Sequence, residues 1–564
     1  MQAIRALALA AASVAAGQVA GAQTIFNPAP SRIFGQAVLQ QTGLLTAIAP
    51  NLVEGREFNA PQGLAVDTSA NPPILYVADT GNNRVLAWKN AFGFTKGDKA
   101  DLVIGQRDLL SSAPEGPGAD LSTGLNQPVS VATDRAGNLY VVDAGNNRIL
   151  RYPAPFAQTG ALLSVDLILG QNDLNGRAPN AGQTAPNAHT FAFTTSAGVF
   201  RSGLAFDTSG NLWVSDPANN RVLRIPSTAL SSGSNEPAAD LVLGEPDFVT
   251  NSTPQNIDRS KKNYLLAPSG LAFDPKGRLF VADGANRVVV YAPPFAIAQS
   301  AARIMGVVVP AAGQAAPAIG AGTLGALTAG NQPLPPEGVV FVGANPYVLD
   351  TGNARILGYA PYDQWLAESV TFSPAATSVI GQQSFVANAS NQGLAQPGAS
   401  TLAGPIPNLT VGGPVAAVFA GTDLFVVDSG NHRVLSFPQQ SSSAFVSADR
   451  VLGQLDFAYN SQNLIEGREL GFVPNANSCL VNGALAFPAG GGAAIDTSSN
   501  PPHVYISDPL NNRVLGFADY RKVNAGVKAD LVIGQPDLVT GIINYPSSNP
   551  SQTSNEGLWS PEGL

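Results

Sequence analysis

The sequence has 564 residues, of which 12% are charged, about half the usual share of a globular protein, and it is rich in glycine (58) and proline (44). This composition favours many short strands and turns over long helices. The net charge is −9 with only 30 Lys and Arg, which argues against nucleic acid as a partner, and the single cysteine, Cys479, excludes an intrachain disulfide and a thiolate metal site.

The first 22 residues have the three parts of a secretory signal peptide. Arg5 supplies a positive charge, residues 6–16 form an apolar stretch too short to span a bilayer, and residues 20–22 are a small-residue cleavage site. The alternative is an ordinary buried helix. No later stretch of the sequence predicts a transmembrane span, so we expect a protein secreted to the periplasm, cell envelope or medium. Export with one cysteine favours a bacterial source.

One nine-residue stretch organises the rest of the chain. It reads ADTGNNRVL at 78–86 and recurs with small changes at 142–150, 215–223, 282–290, 349–357, 427–435 and 507–515. Each copy has an Asp followed by an Arg, five residues later in six copies and four in the fourth copy. These pairs are Asp79 and Arg84, Asp143 and Arg148, Asp216 and Arg221, Asp283 and Arg287, Asp350 and Arg355, Asp428 and Arg433, and Asp508 and Arg513.

Each copy predicts a tight β-turn between two strands. Segments rich in β-forming residues precede and follow it, as at 75–79 and 84–88. Gly and Asn tolerate positive φ, and an Asp side chain can accept hydrogen bonds from backbone N–H groups of the turn. Because every copy has both charges, we interpret the pair as a structural clasp of the hairpin. The functional alternative is a ring of Asp and Arg side chains that binds a ligand.

Two further strands accompany each turn. The upstream strands are predicted at 63–67, 130–134, 203–207, 270–274, 338–342, 416–420 and 493–496, and the downstream strands at 100–106, 165–171, 239–245, 302–306, 378–382, 449–454 and 529–535. Each unit is therefore a four-stranded antiparallel sheet, which cannot bury both faces alone and must stack on its neighbours. The predicted fold class is all-β, a β-propeller of four-stranded antiparallel blades.

The stretch GLAFDTSGNLWVSDPANNRVLRI at 203–225 resembles the NHL repeat of six-bladed propellers. The resemblance covers nearly all of the chain after residue 22, and it indicates the fold more strongly than the function. The repeats depart from the family in length, since successive turn aspartates are 64 to 80 residues apart, whereas four-stranded blades usually need about 40–45 residues. The excess lies in connectors after the fourth strands, at 172–200, 246–266, 307–336, 383–413 and 455–490.

The first and seventh copies are more similar to each other than to their neighbours. NLVEGREF at 51–58 matches NLIEGREL at 463–470, and SRIFGQ at 31–36 matches DRVLGQ at 449–454. We therefore predict a six-bladed propeller over 23–445, closed by pairing of strand 31–36 with the sixth blade because closure leaves no open edge. Residues 446–564 are then an incomplete second propeller. The alternative is one seven-bladed ring, with the seventh blade followed by a tail.

Antiparallel strands place the Asp–Arg turns and the long connectors at the same end of each sheet. We name this end the insert-bearing face, and variable loops on a rigid scaffold are where binding residues tend to lie. Its connectors contain isolated aromatic residues, which either contact a ligand or fill gaps between connectors and blades. These aromatic residues include Phe191, Phe193, Phe200 and Tyr264.

The sequence predicts no catalytic, cofactor-binding or metal-binding residue. The three histidines, His189, His432 and His503, take different repeat positions and give no ligand spacing. Some related propeller enzymes, the peptide-amidating lyases, hold a metal with histidines around the central channel, and this sequence lacks matching positions. Lactonase-like propellers use a Glu, Asn and Asp set at the channel mouth, whereas the Asp and Asn residues of this chain lie in the repeat turns, where a structural role explains them. A calcium ion in one of the Asp-containing turns is a further expectation, because hard cations need only clustered oxygen ligands.

These observations favour a secreted, non-enzymatic propeller that binds a protein, peptide or polysaccharide through its insert-bearing face. The alternative is an extracytoplasmic lyase or lactone hydrolase with its site at the mouth of the central channel. That function requires His, Glu or Asp residues near the axis that do not repeat from blade to blade. A third reading is a structural surface protein with propellers in tandem.

Overall fold

The computed structural model describes residues 51–116, 124–160, 162–194, 201–309, 319–328, 331–405, 412–440, 444–471, 480–481, 484–485, 491–524 and 526–564. The predicted signal peptide at 1–22, the strand at 31–36, Phe200 and Cys479 lie outside these residues. Within the described ranges, no helix is long and apolar enough to cross a membrane.

Seven sheets of four antiparallel strands make up nearly all of the described β structure, and the strands of each sheet lie in chain order. Sheet 1 contains Gly63–Asp67, Ile74–Asp79, Arg84–Trp88 and Leu102–Ile104. Sheet 2 contains Pro128–Thr133, Leu139–Asp143, Arg148–Tyr152 and Leu167–Leu169. Sheet 3 contains Leu204–Phe206, Leu212–Asp216, Arg221–Ile225 and Leu241–Leu243. Sheet 4 contains Leu271–Phe273, Leu279–Asp283, Arg287–Tyr291 and Arg303–Met305.

The remaining three sheets follow the same order. Sheet 5 contains Gly338–Val342, Asn345–Asp350, Arg355–Gly358 and Ser378–Ile380. Sheet 6 contains Pro414–Ala420, Asp423–Asp428, Arg433–Pro438 and Arg450–Leu452. Sheet 7 contains Ala493–Asp496, His503–Asp508, Arg513–Phe517 and Leu531–Ile533. Two small hairpins join Ala326–Leu327 to Pro333–Leu334 and Leu480–Val481 to Ala484–Leu485.

Helices are short. The one α-helix in the described ranges is Ser227–Ser231. Single 3-10 turns occupy six of the seven Asp–Arg hairpins, at Thr80–Asn82, Ala144–Asn146, Pro217–Asn219, Thr351–Asn353, Ser429–Asn431 and Pro509–Asn511. Others lie in connecting segments, at Pro155–Ala157, Pro179–Gly182, Tyr362–Gln364, Ser390–Gly393 and Tyr520–Lys522. The predicted all-β class is confirmed.

The repeated turn differs in detail from the tight β-turn that its sequence predicts. In sheet 1, Asp79 pairs with Arg84 across the hairpin, Thr80–Asn82 forms the 3-10 turn, and Asn83 takes the left-handed conformation at φ 54°. Positive φ therefore falls on the residue before the arginine and not on the glycine. Gly81 is required for a different reason, since a Cβ atom there would lie 2.7 Å from the backbone oxygen of Asn59.

Sheets 1 to 6 pack on one another in chain order, and sheet 6 packs on sheet 1. A separate cluster of buried apolar side chains fills each contact between neighbouring sheets. The cluster between sheets 6 and 1 joins Leu75 and Val77 to Phe425 and Val427, all of which are fully buried. The inner strands of these six sheets line one narrow axial cavity of about 90 Å³.

One predicted boundary is wrong. Residues 445 and 446 fall between the third and fourth strands of sheet 6, because Arg450–Leu452 pairs with Arg433–Pro438 in that sheet. The physical reason is that the third strand needs a partner on its outer edge, and its own repeat supplies that partner. Sheet 6 therefore has a full set of four strands without residues 31–36.

Sheet 7 has an apolar cluster of its own, including Val504 and Leu515. It meets the first six sheets through the duplicated segments 51–57 and 463–469. The backbone N–H of Leu52 donates to the oxygen of Leu464 at 3.1 Å, and the N–H of Leu464 donates back at 3.3 Å. The two copies of one sequence thus pair with each other in an antiparallel sense.

Candidate functional site

The Asp and Arg of each repeated turn form a buried ion pair within their own hairpin. In sheet 1, one carboxylate oxygen of Asp79 accepts from the backbone N–H of Asn59 at 2.7 Å. The other accepts from Asn82 Nδ2 and from Arg84 Nε, both at 2.8 Å. The pair is fully buried. All seven pairs have Nε–Oδ2 distances of 2.7–2.9 Å.

The arginines also satisfy backbone carbonyl groups in the connector that follows. Arg84 donates to the oxygen of Leu109 at 2.7 Å, and Arg221 donates to the oxygen of Phe248 at 2.6 Å. Arg221 also donates to the oxygen of Thr190, in the connector before sheet 3, at 2.8 Å. In sheets 1 and 7 a second carboxylate joins the pair, from Glu57 at 2.8 Å and from Glu469 at 2.6 Å. Each guanidinium therefore ties its hairpin to the connectors on the insert-bearing face.

Burial sets the electrostatics of these turns. Loss of solvent raises the pKa of the Asp79, Asp143, Asp216 and Asp508 carboxyls, and the positive charge of the neighbouring arginine opposes that rise. Among the residues described, no three or more His, Cys, Asp or Glu side chains are grouped so that they could hold a metal ion.

One charged pair that does not repeat lies at the axis. Arg201 Nη2 and Glu337 Oε1 are 2.8 Å apart, and 8% and 9% of their side chains are exposed. They line a cavity of about 30 Å³ together with Gln62, Ser202 and Ser269. These residues directly precede the inner strands, so the pair closes the channel at its insert-bearing mouth. Burial raises the pKa of the Glu337 carboxyl, against the charge of Arg201 and a hydrogen bond from Ser269.

The sequence prediction missed this pair. The signal was present in the residues before each inner strand, which read PEGVV at 336–340 but PQGLA, RSGLA and PSGLA in other repeats. Glu337 and Arg201 are charged residues at positions that are uncharged in the other repeats, and this difference is the pattern that would have identified the pair.

A cleft of about 310 Å³ opens on the insert-bearing face. Its walls come from the connectors after sheets 5, 6 and 7, from the Asp–Arg turn of sheet 7 and from Asn51. Carboxamides of Gln396, Asn460 and Asn511 line it together with Tyr459 and apolar side chains such as Ile465. None of its lining residues is charged, and none lies in a β-strand.

The histidines and connector aromatics do not meet in one site. The Nδ1 of His432 accepts from the backbone N–H of Ala60 at 2.9 Å, and His189 lies 2.7 Å from the oxygen of Glu236. Phe191 and Phe193 stack at 5.3 Å in the core between sheets 2 and 3, where they fill a gap. The ring of Tyr264 covers Arg287 at 4.7 Å.

Comparison with solved structures returns proteins of distant sequence. The periplasmic gluconolactonase PpgL of Pseudomonas aeruginosa has 13% identity and a TM-score of 0.35, over 71% of this chain and 86% of that one. A streptogramin B lyase has 8% identity and a TM-score of 0.33, over 72% and 86%. A chain of the nidogen–laminin complex has 13% identity and a TM-score of 0.29, over 57% and 80%.

At these identities and TM-scores, the likenesses carry no argument about activity or ligand. No curated protein matches the chain in a sequence comparison. The family model of the NHL repeat matches residues 125–152, which include the clasp of Asp143 and Arg148. The predicted resemblance to the NHL repeat is confirmed for this unit, and the chain is a β-propeller protein that carries an NHL repeat.

Proposed function

We propose that the chain is an extracytoplasmic binding module that holds a protein, peptide or polysaccharide on its insert-bearing face. The observation that carries the proposal is the cleft of about 310 Å³ on that face, which is within the range of about 300–1,000 Å³ typical of ligand sites. The axial channel, by contrast, is narrow and closed by an ion pair. Export by the predicted signal peptide at 1–22 is part of the proposal.

We assign the fourteen Asp and Arg residues of the turns a structural role in this module. Both oxygens of Asp79 already accept hydrogen bonds from N–H donors, and the equivalent Asp216 accepts from Ala192, Asn219 and Arg221. Such oxygens are poor calcium ligands, because the donors compete with the ion for the same lone pairs. A calcium ion in a turn stays a prediction that metal analysis of the purified protein can test.

We further propose that sheets 1 to 6 are a complete propeller and that sheet 7 belongs to a second one. The support comes from the contacts between the start of one inner strand and the start of the next. A Cβ on Gly203 of sheet 3 would meet Ser269 and Gly270 at the start of the next inner strand, and a Cβ on Gly492 of sheet 7 would meet Glu562 and Gly563 in the same way. In this proposal, residues 562–564 correspond to the start of the inner strand that follows sheet 7.

The binding function can be tested by blocking one face at a time. Cys479 is first replaced by serine, and a cysteine is then introduced at Ala395, which lines the cleft on the insert-bearing face, or at Ser209 on the opposite face, both exposed positions. Each variant is coupled to a polyethylene glycol chain. We expect coupling at position 395 to abolish binding of the full chain to a cell-envelope fraction and coupling at 209 to leave it unchanged. Equal loss from both faces would contradict the proposal.

A second candidate function is supported by the Arg201–Glu337 pair. It supplies a buried acid and a cation at the channel mouth that do not repeat, as a lyase or lactone hydrolase there would require. Hydrolysis of δ-gluconolactone that is lost in Glu337→Gln would establish this alternative. Absence of turnover in the wild-type protein would count against it.

A further inference from the structure

The cleft between the connectors differs from the rest of the molecule in its chemistry. Its lining holds no charged side chain, although the neighbouring segments carry Glu54, Arg56, Glu466 and Arg468 in mutual ion pairs. A charged ligand placed in the cleft would lose solvent without gaining a counter-charge. The cleft therefore selects an uncharged ligand.

The polar groups that line the cleft are mainly carboxamides and hydroxyls. The side chains of Gln396 and Asn460 are exposed, and Ser548 is exposed on the wall formed by sheet 7. A carboxamide offers both donors and an acceptor, so it can bond a hydroxyl group whichever way that group points. Such a surface is suited to ligands that carry many hydroxyl groups.

The rest of the wall is apolar or aromatic. Tyr459 is partly exposed in the cleft, and Ile465, Leu510 and Ile542 also line it. The flat ring of a tyrosine, in a wall that also contains aliphatic side chains, can cover the C–H face of a sugar ring while its hydroxyl group remains solvated. The alternation of amide and apolar surface matches the two kinds of surface on a pyranose.

A peptide fits the cleft less well. Extended peptides are commonly held by addition to a free strand edge, and charged motifs by arginine clusters. The lining residues are all in loops and turns, and none is charged. The backbone contacts and the charges that select a peptide are therefore missing from this surface.

We infer that this cleft binds a neutral oligosaccharide, with Tyr459 against a sugar ring and the carboxamides of Gln396 and Asn460 bonding its hydroxyl groups. This inference rests on the proposed binding function and names the ligand class of its site.

Isothermal titration of the full chain tests the inference. The probes are cellohexaose, xylohexaose and laminarihexaose as neutral sugars, hexagalacturonic acid as a charged sugar, and a capped Ser–Gly hexapeptide. We expect at least one neutral hexasaccharide to bind with a Kd below about 1 mM, Tyr459→Ala to weaken it at least tenfold and Gln396→Ala to weaken it severalfold. The matched control is Gln255→Ala, an exposed glutamine in the connector after sheet 3, which should bind as the wild type does.

Three results would overturn the inference. The first is that the wild-type protein binds the envelope fraction, and loses this binding when the insert-bearing face is blocked, but binds no neutral hexasaccharide. The proposed function would then stand, and the inferred ligand class would be wrong. Another is binding of the peptide or of hexagalacturonic acid that depends on Tyr459. The third is sugar binding that neither cleft variant weakens while thermal unfolding shows both variants folded. If the protein binds a neutral hexasaccharide as expected but does not bind the envelope fraction, the sugar site in the cleft would be supported and the proposed envelope-binding function would be refuted.

Discussion

Seven arginines are among the largest fully buried side chains of the molecule. A guanidinium removed from water is costly unless it is paired and hydrogen-bonded. Arg221 illustrates how this is achieved, with Asp216 at 2.8 Å and carbonyl oxygens of Phe248 and Thr190 on its other nitrogens. Removal of either the Asp or the Arg would leave the other charge buried without a counter-charge, so we expect each clasp to depend on both residues.

We predict that Arg221→Met lowers the free energy of unfolding by about 3–5 kcal/mol, because it leaves the buried Asp216 carboxylate without its counter-charge. Urea denaturation followed by tryptophan fluorescence measures the change. Arg135→Met is the control, since Arg135 is exposed on a turn of the opposite face, and it should change the free energy by less than about 0.5 kcal/mol. Similar losses in both variants would contradict the clasp.

The residue before each arginine joins neighbouring sheets. The Oδ1 atom of Asn83 in sheet 1 accepts from the backbone N–H of Gln127 at 2.9 Å, just before sheet 2. Where sheet 6 meets sheet 1, His432 takes this place and its Nδ1 accepts from Ala60. This acceptor role requires a neutral Nδ1, and burial lowers the pKa of His432 from 6.5 to about 4.

A pH dependence follows from this bond. The folded state binds the proton more weakly than the unfolded state, so the contribution of His432 is complete above about pH 6.5 and is lost as the pH falls from there towards 4. We expect a loss on the order of 1–3 kcal/mol. The variant His432→Asn keeps the acceptor, so it should lose less stability than the wild type between pH 7 and 4.5 in parallel denaturation curves. Superimposable pH profiles would refute the role of His432.

At the scale of the element, the fourth strand of most sheets is followed by a Gly-Gln pair that supports the turn. In sheet 1 Gln106 donates from Nε2 to the oxygens of Asn83 and Ala113, at 2.9 and 2.7 Å. Sheet 4 has Val307 at this position. There the guanidinium of Arg259, from the preceding connector, donates to the oxygens of Ala285, Asn286, Gly306 and Leu324.

We predict that Arg259→Ala destabilises the protein by about 1–3 kcal/mol, because partly buried carbonyl groups lose their donor. The same type of change in sheet 2, Gln171→Ala, should have a similar cost, since Gln171 donates to Asn147 and Ala178. Hydrogen exchange should rise locally at the Asp283–Arg287 turn in the first variant and at the Asp143–Arg148 turn in the second. An unchanged exchange rate at 283–287 would show that Arg259 does not replace the glutamine.

The strands could be predicted from sequence, while their connections could not. Alternating β-forming residues at 75–79 and 84–88 fix a strand pair because the side-chain period is two. Position 83 could not be identified as the left-handed residue, since Gly81 and Asn82 accept that conformation as readily. The Arg201–Glu337 pair and the cleft each join residues from several connectors, and no local pattern links such distant segments.

At the scale of the whole molecule, a four-charge cluster joins sheet 7 to the first six sheets. Arg56 contacts Glu54 at 3.0 Å and Glu466 at 2.8 Å, and Arg468 contacts Glu54 at 2.8 Å and Glu466 at 2.9 Å. Each arginine thus bonds one glutamate of its own segment and one of the other copy. All four side chains are at most 16% exposed.

We expect Arg468→Glu to open this junction, because three carboxylates would then face one arginine and two exposed lysines. Lys99 lies 3.9 Å from Glu54, and Lys528 lies 3.8 Å from Glu466. Limited proteolysis should cleave the segment 453–471 of the variant faster than that of the wild type. High salt should reduce this difference in cleavage rate only slightly, because salt screens partly buried charges less than exposed ones. Arg107→Glu, which reverses an exposed charge, is the control. The junction would be independent of the cluster if both variants were cleaved at the wild-type rate.

Sheet 7 also exposes apolar residues that face no neighbouring sheet in the described part of the chain. Ile495, Leu531 and Ile533 are 55%, 48% and 45% exposed. We predict that an isolated fragment 449–564 self-associates, and that the double change Ile495→Ser and Ile533→Ser reduces association in sedimentation velocity. Cooperative unfolding of the unmodified fragment as a monomer would contradict this prediction.

The pairing of residues 51–57 with 463–469 has a consequence for how such a chain can grow by duplication. The two partners are copies of one sequence, NLVEGRE and NLIEGRE, so the joint is self-complementary. A recombination event that duplicates the unit copies its joint as well, and no second surface has to evolve to meet it. Substitutions that preserve the joint must likewise suit both copies, which couples the divergence of two segments more than four hundred residues apart (Leu52 to Leu464).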